Sequence, residues 1–209
     1  LCPGIPIVFL AFHHREIESD REKLIRAYDD LFIWNGDSRM LLTIIKLVED
    51  KANVEADTDS VGVRVIVLVE NSIRFYSAYL PLIYAEVMRQ SSALLSESIN
   101  ATARRIRMRA RPKILLAQSY EDAVSLFETY QEYLLGVITD IQFPRKGVLD
   151  PSAGIRLAEK IKAEAEDLPV LLQSSDRSQA ALAHRSNAAF LFKQSPKLLK
   201  KLSGFIKNN

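Results

Sequence analysis

The sequence of 209 residues contains one cysteine, Cys2. No intrachain disulfide and no cysteine-based metal site can therefore form, and a reducing, cytoplasmic setting is expected. Long apolar runs are lacking as well. The longest, residues 5–12 (IPIVFLAF), falls far short of a bilayer span, so no membrane association is expected. No basic stretch precedes an apolar one at the N-terminus, as a signal peptide would require. An excess of charge of one sign is also missing. Lys and Arg number 28 against 26 Asp and Glu, for a formal net charge of +2, which argues against nucleic acid as the default partner. What is present is an ordinary globular composition, 48% hydrophobic and 26% charged, in a length that suits one large domain or one and a half ordinary ones. The chain opens on Leu1 in a Cys-Pro-Gly loop and is expected to be a piece of something longer.

Periodicity divides the chain in two. Residues 5–12 have the apolar, β-branched character of a buried strand, and residues 15–28 that of a surface helix with a narrow apolar stripe. A second strand over 31–34 is closed by the Asn35-Gly36 turn. A helix follows to about Ala52, its apolar positions including Met40, Leu41, Ile44, Ile45 and Leu47. Residues 53–60 (NVEADTDS) are polar, acidic and aperiodic, and are expected to form a linker. Beyond it, strands are expected at 63–69, 113–117, 135–139, 169–173 and 188–192. Helices are expected at 119–133, 153–166 and 179–187, with a basic amphipathic helix at 196–206. Residues 142–152 are expected to form a loop. Five alternations of strand and helix require a parallel sheet covered on both faces. Right-handed crossovers then bring all strand C-termini to one edge, where functional groups gather.

Several polar residues stand just past those strand ends: Glu70 and Asn71 after the first, Asp140 after the third, Ser174 and Ser175 after the fourth, Lys193 after the fifth. They are far apart in sequence but converge in a doubly wound sheet. Acids after strands are common in α/β folds. An acid pair, an amide, a hydroxyl and a lysine at one edge form a more specific set.

Four ordered motifs carry a resemblance: VLVEN (67–71), VITDIQFP (137–144), LPVLLQSS (168–175) and AAFLFKQSP (188–196), with Gly154, Leu157 and Ile161 in the third-helix pattern. Residues 63–206, about seventy per cent of the chain, resemble the receiver domain of two-component response regulators. More narrowly, the chain is similar to tandem receiver regions preceding phosphoenolpyruvate synthase or pyruvate phosphate dikinase-like modules. The resemblance implies an α/β, flavodoxin-like, doubly wound sheet of five parallel strands in the order 2-1-3-4-5. It implies a cytoplasmic phosphorelay module in which Asp140 accepts a phosphoryl group from a histidine kinase or phosphotransfer protein. Such a module is a phospho-acceptor regulatory domain and not a turnover enzyme. Mg²⁺ is the implied cofactor, with Glu70, Asp140, the backbone carbonyl of Gln142, and Asn71 around it. Lys193 is implied to pair with a phosphoryl oxygen, Ser174 to bond another, and Phe190 to act as the aromatic switch. The alternative is a degenerate pseudo-receiver, serving as an interaction or dimerisation scaffold or as a regulatory region of a larger phosphotransferase.

The chain departs from that pattern in several places. Asn71 stands where a second acid is usual, so Mg²⁺ is expected to bind more weakly. Gln194 replaces the usual cis-proline after Lys193, so a trans bond is expected there, a change that would shift Lys193. Ten residues separate Phe143 from Gly154, a lengthened loop expected to gate Asp140. About forty residues lie between Glu70 and Lys113, roughly twice one crossover helix. A helix kinked at Pro81, running to about Glu97, and a return helix from about Asn100 are therefore expected, an insertion at about 90–111. Its apolar face has little of its own domain to cover, so homodimerisation through this arm is expected. Residues 1–56 follow the order of the C-terminal half of a second, degenerate receiver-like unit, with Ala11 at the hydroxyl position and Trp34 and Asn35 at the lysine position. Residues 57–209 are the complete domain.

Other polar features have plainer explanations. His13 and His14 make a strand-end pair, and the basic run from Arg104 to Lys113 solvates a helix. The Asn100 sequon is one by formula alone, and Cys2 is an inert terminal thiol.

Overall fold

The computed structural model describes residues 5–95, 111–195, 200, 204 and 205. The elements in chain order are β1 (Val8–Ala11), α1 (His14–Glu18), α2 (Arg21–Ala27), β2 (Asp30–Ile33), α3 (Arg39–Val61), β3 (Val65–Val69), α4 (Ile73–Leu95), β4 (Lys113–Ala117) and α5 (Tyr120–Tyr130). They continue with β5 (Leu134–Asp140), β6 (Phe143–Arg145), β7 (Val148–Asp150), α6 (Ala153–Glu164), β8 (Val170–Ser174), α7 (Ala180–Arg185) and β9 (Ala189–Phe192). The main sheet has five parallel strands in the order β4-β3-β5-β8-β9. This is the 2-1-3-4-5 winding of flavodoxin-like folds. The five segments expected as strands of the main sheet all form, because such a sheet can cover apolar runs on both faces, whereas the segment expected as a buried strand at 5–12 gives β1, half-buried and paired with β2 outside the main sheet.

Alternate residues serve two cores. Ile66, Leu68, Ile114, Ile138, Leu171 and Leu191 face α4. Val67, Val69, Leu115, Val137, Val170 and Leu172 face α5, α6 and α7.

Residues 53–60 are not a linker. They are the last turns of α3, which runs through them and ends in a left-handed glycine cap at Gly62 (φ 65°). There the Gly62 N–H donates to Thr58 O (2.9 Å) and the Val63 N–H to Asp57 O (3.2 Å). Of the segment's three acids, Glu55 and Asp59 are exposed and Asp57 is buried, and Asp50, one heptad before it on the same helix, is buried as well. Asp50 accepts hydrogen bonds from Arg111 Nη2 (2.7 Å) and Nη1 (3.1 Å), the Tyr84 hydroxyl (2.8 Å) and the Ile114 N–H (2.9 Å). One heptad later Asp57 pairs with Lys113 Nζ at 2.7 Å. The polar composition of 53–60 suits an exposed helix face on Glu55 and Asp59, whereas the buried cations at the start of β4, Arg111 and Lys113, claim Asp50 and Asp57.

The apolar face of α4 does not await a second copy in its described length. Tyr76, Leu80, Ile83, Tyr84 and Val87 share one core with the main sheet and with Leu31, Phe32, Met40 and Leu47 of the N-terminal unit. The parallel pair β1-β2 packs on α4. The Tyr76 hydroxyl donates to Leu31 O (2.5 Å), and the Ile33 N–H, an edge donor, is satisfied by Ser77 Oγ (3.0 Å). Pro81 lies inside α4, which continues through it. The return helix expected from Asn100, and most of the basic helix expected at 196–206, lie outside the described residues. Residues 142–152, expected as a loop, hold the antiparallel hairpin β6-β7. Its turn at Lys146 (φ 52°) and Gly147 (φ 76°) has the positive dihedrals a two-residue hairpin favours. Among the described residues, no helix is long and apolar enough to cross a membrane.

Replacing Asp50 with alanine strands a buried guanidinium, a buried tyrosine hydroxyl and the edge N–H of Ile114. Urea denaturation of Asp50→Ala is expected to show a loss of about 3–5 kcal/mol. A loss below about 1 kcal/mol would show that the network does not hold α3 to β4.

Candidate functional site

Strand alternation carries Glu70, Asp140, Gln173 and Lys193 to the α4 side of the sheet. Each lies two residues beyond a core residue of that face: Leu68, Ile138, Leu171 and Leu191 respectively. From β3 the chain leaves to β4 on one side, and β5 lies on the other, so the crevice beyond β3 and β5 is the winding's switch point. Glu70 and Asp140 flank it.

Lys193 reaches back over this crevice. Its Nζ donates to Glu70 Oε2 at 2.5 Å and to Asp140 Oδ2 at 2.8 Å, and it lies 4.1 Å from the centroid of the Phe75 ring. The other oxygens are held by backbone. Glu70 Oε1 accepts from the Ser72 N–H (3.1 Å), and Asp140 Oδ1 from the Ile141 N–H (2.8 Å). The Tyr79 hydroxyl donates to Lys193 O (3.3 Å) and the Lys193 N–H to Ser174 O (2.9 Å), which fixes the strand end that carries the ammonium. Behind Asp140, the start of α6 touches backbone: a Cβ on Gly154 would lie 2.0 Å from Asp140 O, so only glycine fits there.

Exposure separates the roles. The side chains of Glu70 and Lys193 are 0% and 2% exposed, and that of Asp140 is 15% exposed. An incoming group meets Asp140 first. Burial pushes the Glu70 carboxyl up to about 7, with the neighbouring Asp140 charge adding to the rise and Lys193 and the Ser72 N–H opposing it. Burial likewise raises the Tyr79 hydroxyl, with Glu70 and Asp140 adding to it.

The structure brings Glu70, Asp140 and Lys193 into one contact group. The Lys193–Gln194 peptide is trans, as for every described peptide bond, and the lysine is not displaced by it. Ser174 stands beside the group: it has the phase of Leu172, and its Oγ accepts from the Asp176 N–H (3.0 Å). Phe190 is half-buried against the opposite core. Asn71 is half-buried after β3, and Gln142 is exposed after Asp140. Phe75 and Tyr79 were legible only as apolar positions of a helix. Their spacing of four, directly after the acid-bearing strand, was the available sign that one helix face lines the pocket. Gln173 carried no signal beyond a polar residue at the end of an apolar run.

No family model and no curated protein matches the sequence. Among solved structures, a response regulator receiver domain protein from Clostridium thermocellum aligns at 18% identity and TM-score 0.49, over 70% of this chain and 93% of its own. The phosphorylated cyanobacterial phytochrome response regulator RcpA aligns at 16% and 0.43, over 70% and 90%. The receiver domain of the histidine kinase CKI1 from Arabidopsis thaliana, complexed with Mg²⁺ and BeF₃⁻, aligns at 14% and 0.38, over 74% and 96%. Fold and site together define an α/β protein with a flavodoxin-like sheet and an acid–acid–lysine group at its switch point. What it does has to come from its own residues.

A carboxyl that titrates near 7 folded and near 4.5 unfolded favours folding while it is protonated. Its contribution is full below about pH 4.5 and is lost as pH rises to about 7. The stability of the native chain minus that of Glu70→Gln, from urea denaturation, is expected to fall by about 3 kcal/mol across that window. A difference independent of pH would contradict the burial of this charge.

Proposed function

We propose that the chain is a receiver-type signalling domain in which Asp140 is the phospho-acceptor. The observation that carries this reading is the convergence of one partly exposed carboxylate, one buried carboxylate and one buried ammonium at the switch point. Asp140 is the nucleophile: a carboxylate oxygen attacks the phosphorus of a phosphohistidine, the P–N bond breaks, and the departing imidazole nitrogen takes up a proton. The donor class is accordingly a histidine kinase or phosphotransfer protein. Lys193 holds a compact positive charge beside Asp140 and transfers it from the carboxylate to a phosphoryl oxygen as that oxygen arrives. Ser174, at the next strand end, supplies a hydroxyl to a second oxygen, and Phe190 follows its position.

Mg²⁺ suits the donor set. Two carboxylates share the pocket, and among the described residues no group of three or more acids, histidines or cysteines forms a protein cage. Mg²⁺ commonly binds through one or two carboxylates and keeps several waters. Glu70 and Asp140 would hold it, with Asn71 and the Gln142 carbonyl as further ligands. When bound, it supplies positive charge against the repulsion between carboxylate and phosphoryl oxygens.

One observation favours the scaffold alternative. Lys193 satisfies both carboxylates internally, so the group is complete without a ligand. Intact mass measurement after incubation with Mg²⁺ and acetyl phosphate separates the two. Phosphorylation predicts a gain of one phosphoryl group, removed by hydroxylamine and absent in Asp140→Asn. No gain in the native chain, or an equal gain in Asp140→Asn, would sink the phospho-acceptor reading.

A further inference from the structure

Gln173 is out of place by ordinary packing rules. It is 2% exposed, and its Nε2 is a buried nitrogen with no hydrogen-bond partner among the described residues. Buried side-chain donors are nearly always satisfied, and an orphaned one destabilises the fold. An apolar residue at the end of β8 would avoid that cost, as Leu171 and Leu172 do at the preceding positions.

Its location supplies a reason. Gln173 and Asp140 are register partners in the β5-β8 ladder, and both have the phase of the α4 face. Adjacent strands lie about 4.8 Å apart, so a glutamine amide reaches a carboxylate on the neighbouring strand. In the resting site the Asp140 oxygens already have donors, Ile141 N–H on Oδ1 and Lys193 Nζ on Oδ2. Gln173 Nε2 bonds neither oxygen in this arrangement, and departure of Lys193 would leave Oδ2 without its donor beside the amide.

We propose that Gln173 Nε2 is the replacement donor to Asp140, engaged when Lys193 shifts from the carboxylate to an incoming phosphoryl group. This rests on the phospho-acceptor reading of Asp140 and adds a residue to it. The amide has no partner among the described residues of the free protein and gains one on phosphorylation, so the same side chain weakens the resting state and favours the phosphorylated state. No proton or electron is transferred: an N–H donor exchanges for an ammonium at one oxygen.

The test uses the full chain with Mg²⁺ and beryllofluoride as the phosphoryl mimic, comparing the native protein with Gln173→Leu. The variant is expected to melt at a higher temperature when free, because the orphaned donor is gone. It is also expected to bind beryllofluoride about tenfold more weakly, the loss of one hydrogen bond. A merely structural glutamine would move both quantities in the same direction. Native binding with affinity within twofold in Gln173→Leu overturns the role of Gln173 alone. Absence of beryllofluoride binding in the native chain overturns the Asp140 reading and this inference with it. The native chain also provides a test that needs no variant: the Gln173 side-chain NH₂ resonances, correlated through bonds to its backbone, should shift on adding beryllofluoride, and unmoved resonances would overturn the proposal.

Discussion

One ammonium shared by two carboxylates sets the terms for the rest of the molecule. Removing three charges from water is costly, and it is sustained only when every oxygen and proton finds a partner in good geometry. Glu70, Asp140 and Lys193 come from three strands of one sheet, so strand order and register must both be right before any of them is satisfied. Gly154 follows from the same requirement, since α6 must touch the backbone of Asp140. So does Phe75, whose ring closes the pocket over the ammonium. Because α4 carries Phe75 and Tyr79, whatever steadies α4 steadies the site. The N-terminal strands and α3 do this by sharing its core.

A second ionic group sits at the opposite end of the sheet, where Asp50, Asp57, Arg111 and Lys113 meet at the start of β4. The two groups use the same chemistry and differ in access. The side chains of Asp50, Arg111 and Lys113 are each 6% exposed or less, and Asp50 alone accepts four hydrogen bonds. Nothing can enter there without breaking the fold. At the strand C-termini one carboxylate faces outward. That difference, more than residue type, marks one cluster as a clamp and the other as a candidate site.

Much of this could be read from the sequence because the informative features were local. A short apolar run such as residues 65–69, four of its five residues β-branched, reads as a central parallel strand, and the acid that follows it lands at the C-terminal edge whatever the loops do. The features that escaped were decided by tertiary partners. Residues 53–60 have a linker's composition, yet Asp57 is drawn inward by Lys113, which lies more than fifty residues away. The face of α4 looked unpartnered because nothing in its own sequence says that β2 will lie across it. The hairpin at 143–150 was hidden because three-residue strands have no period to detect. Gln173 resembles any strand-end polar residue until its burial and its neighbour are known.

The shared ammonium can be examined directly by a double-mutant cycle on folding free energy at pH 8, where Glu70 is charged. Lys193→Met is expected to cost about 3–5 kcal/mol because it leaves two carboxylates without a counterion. Adding Glu70→Gln in that background should restore a substantial part of the loss, with a coupling of about 1–3 kcal/mol. Additive effects, or a Lys193→Met variant as stable as the native chain, would mean that the three groups do not share a buried pocket.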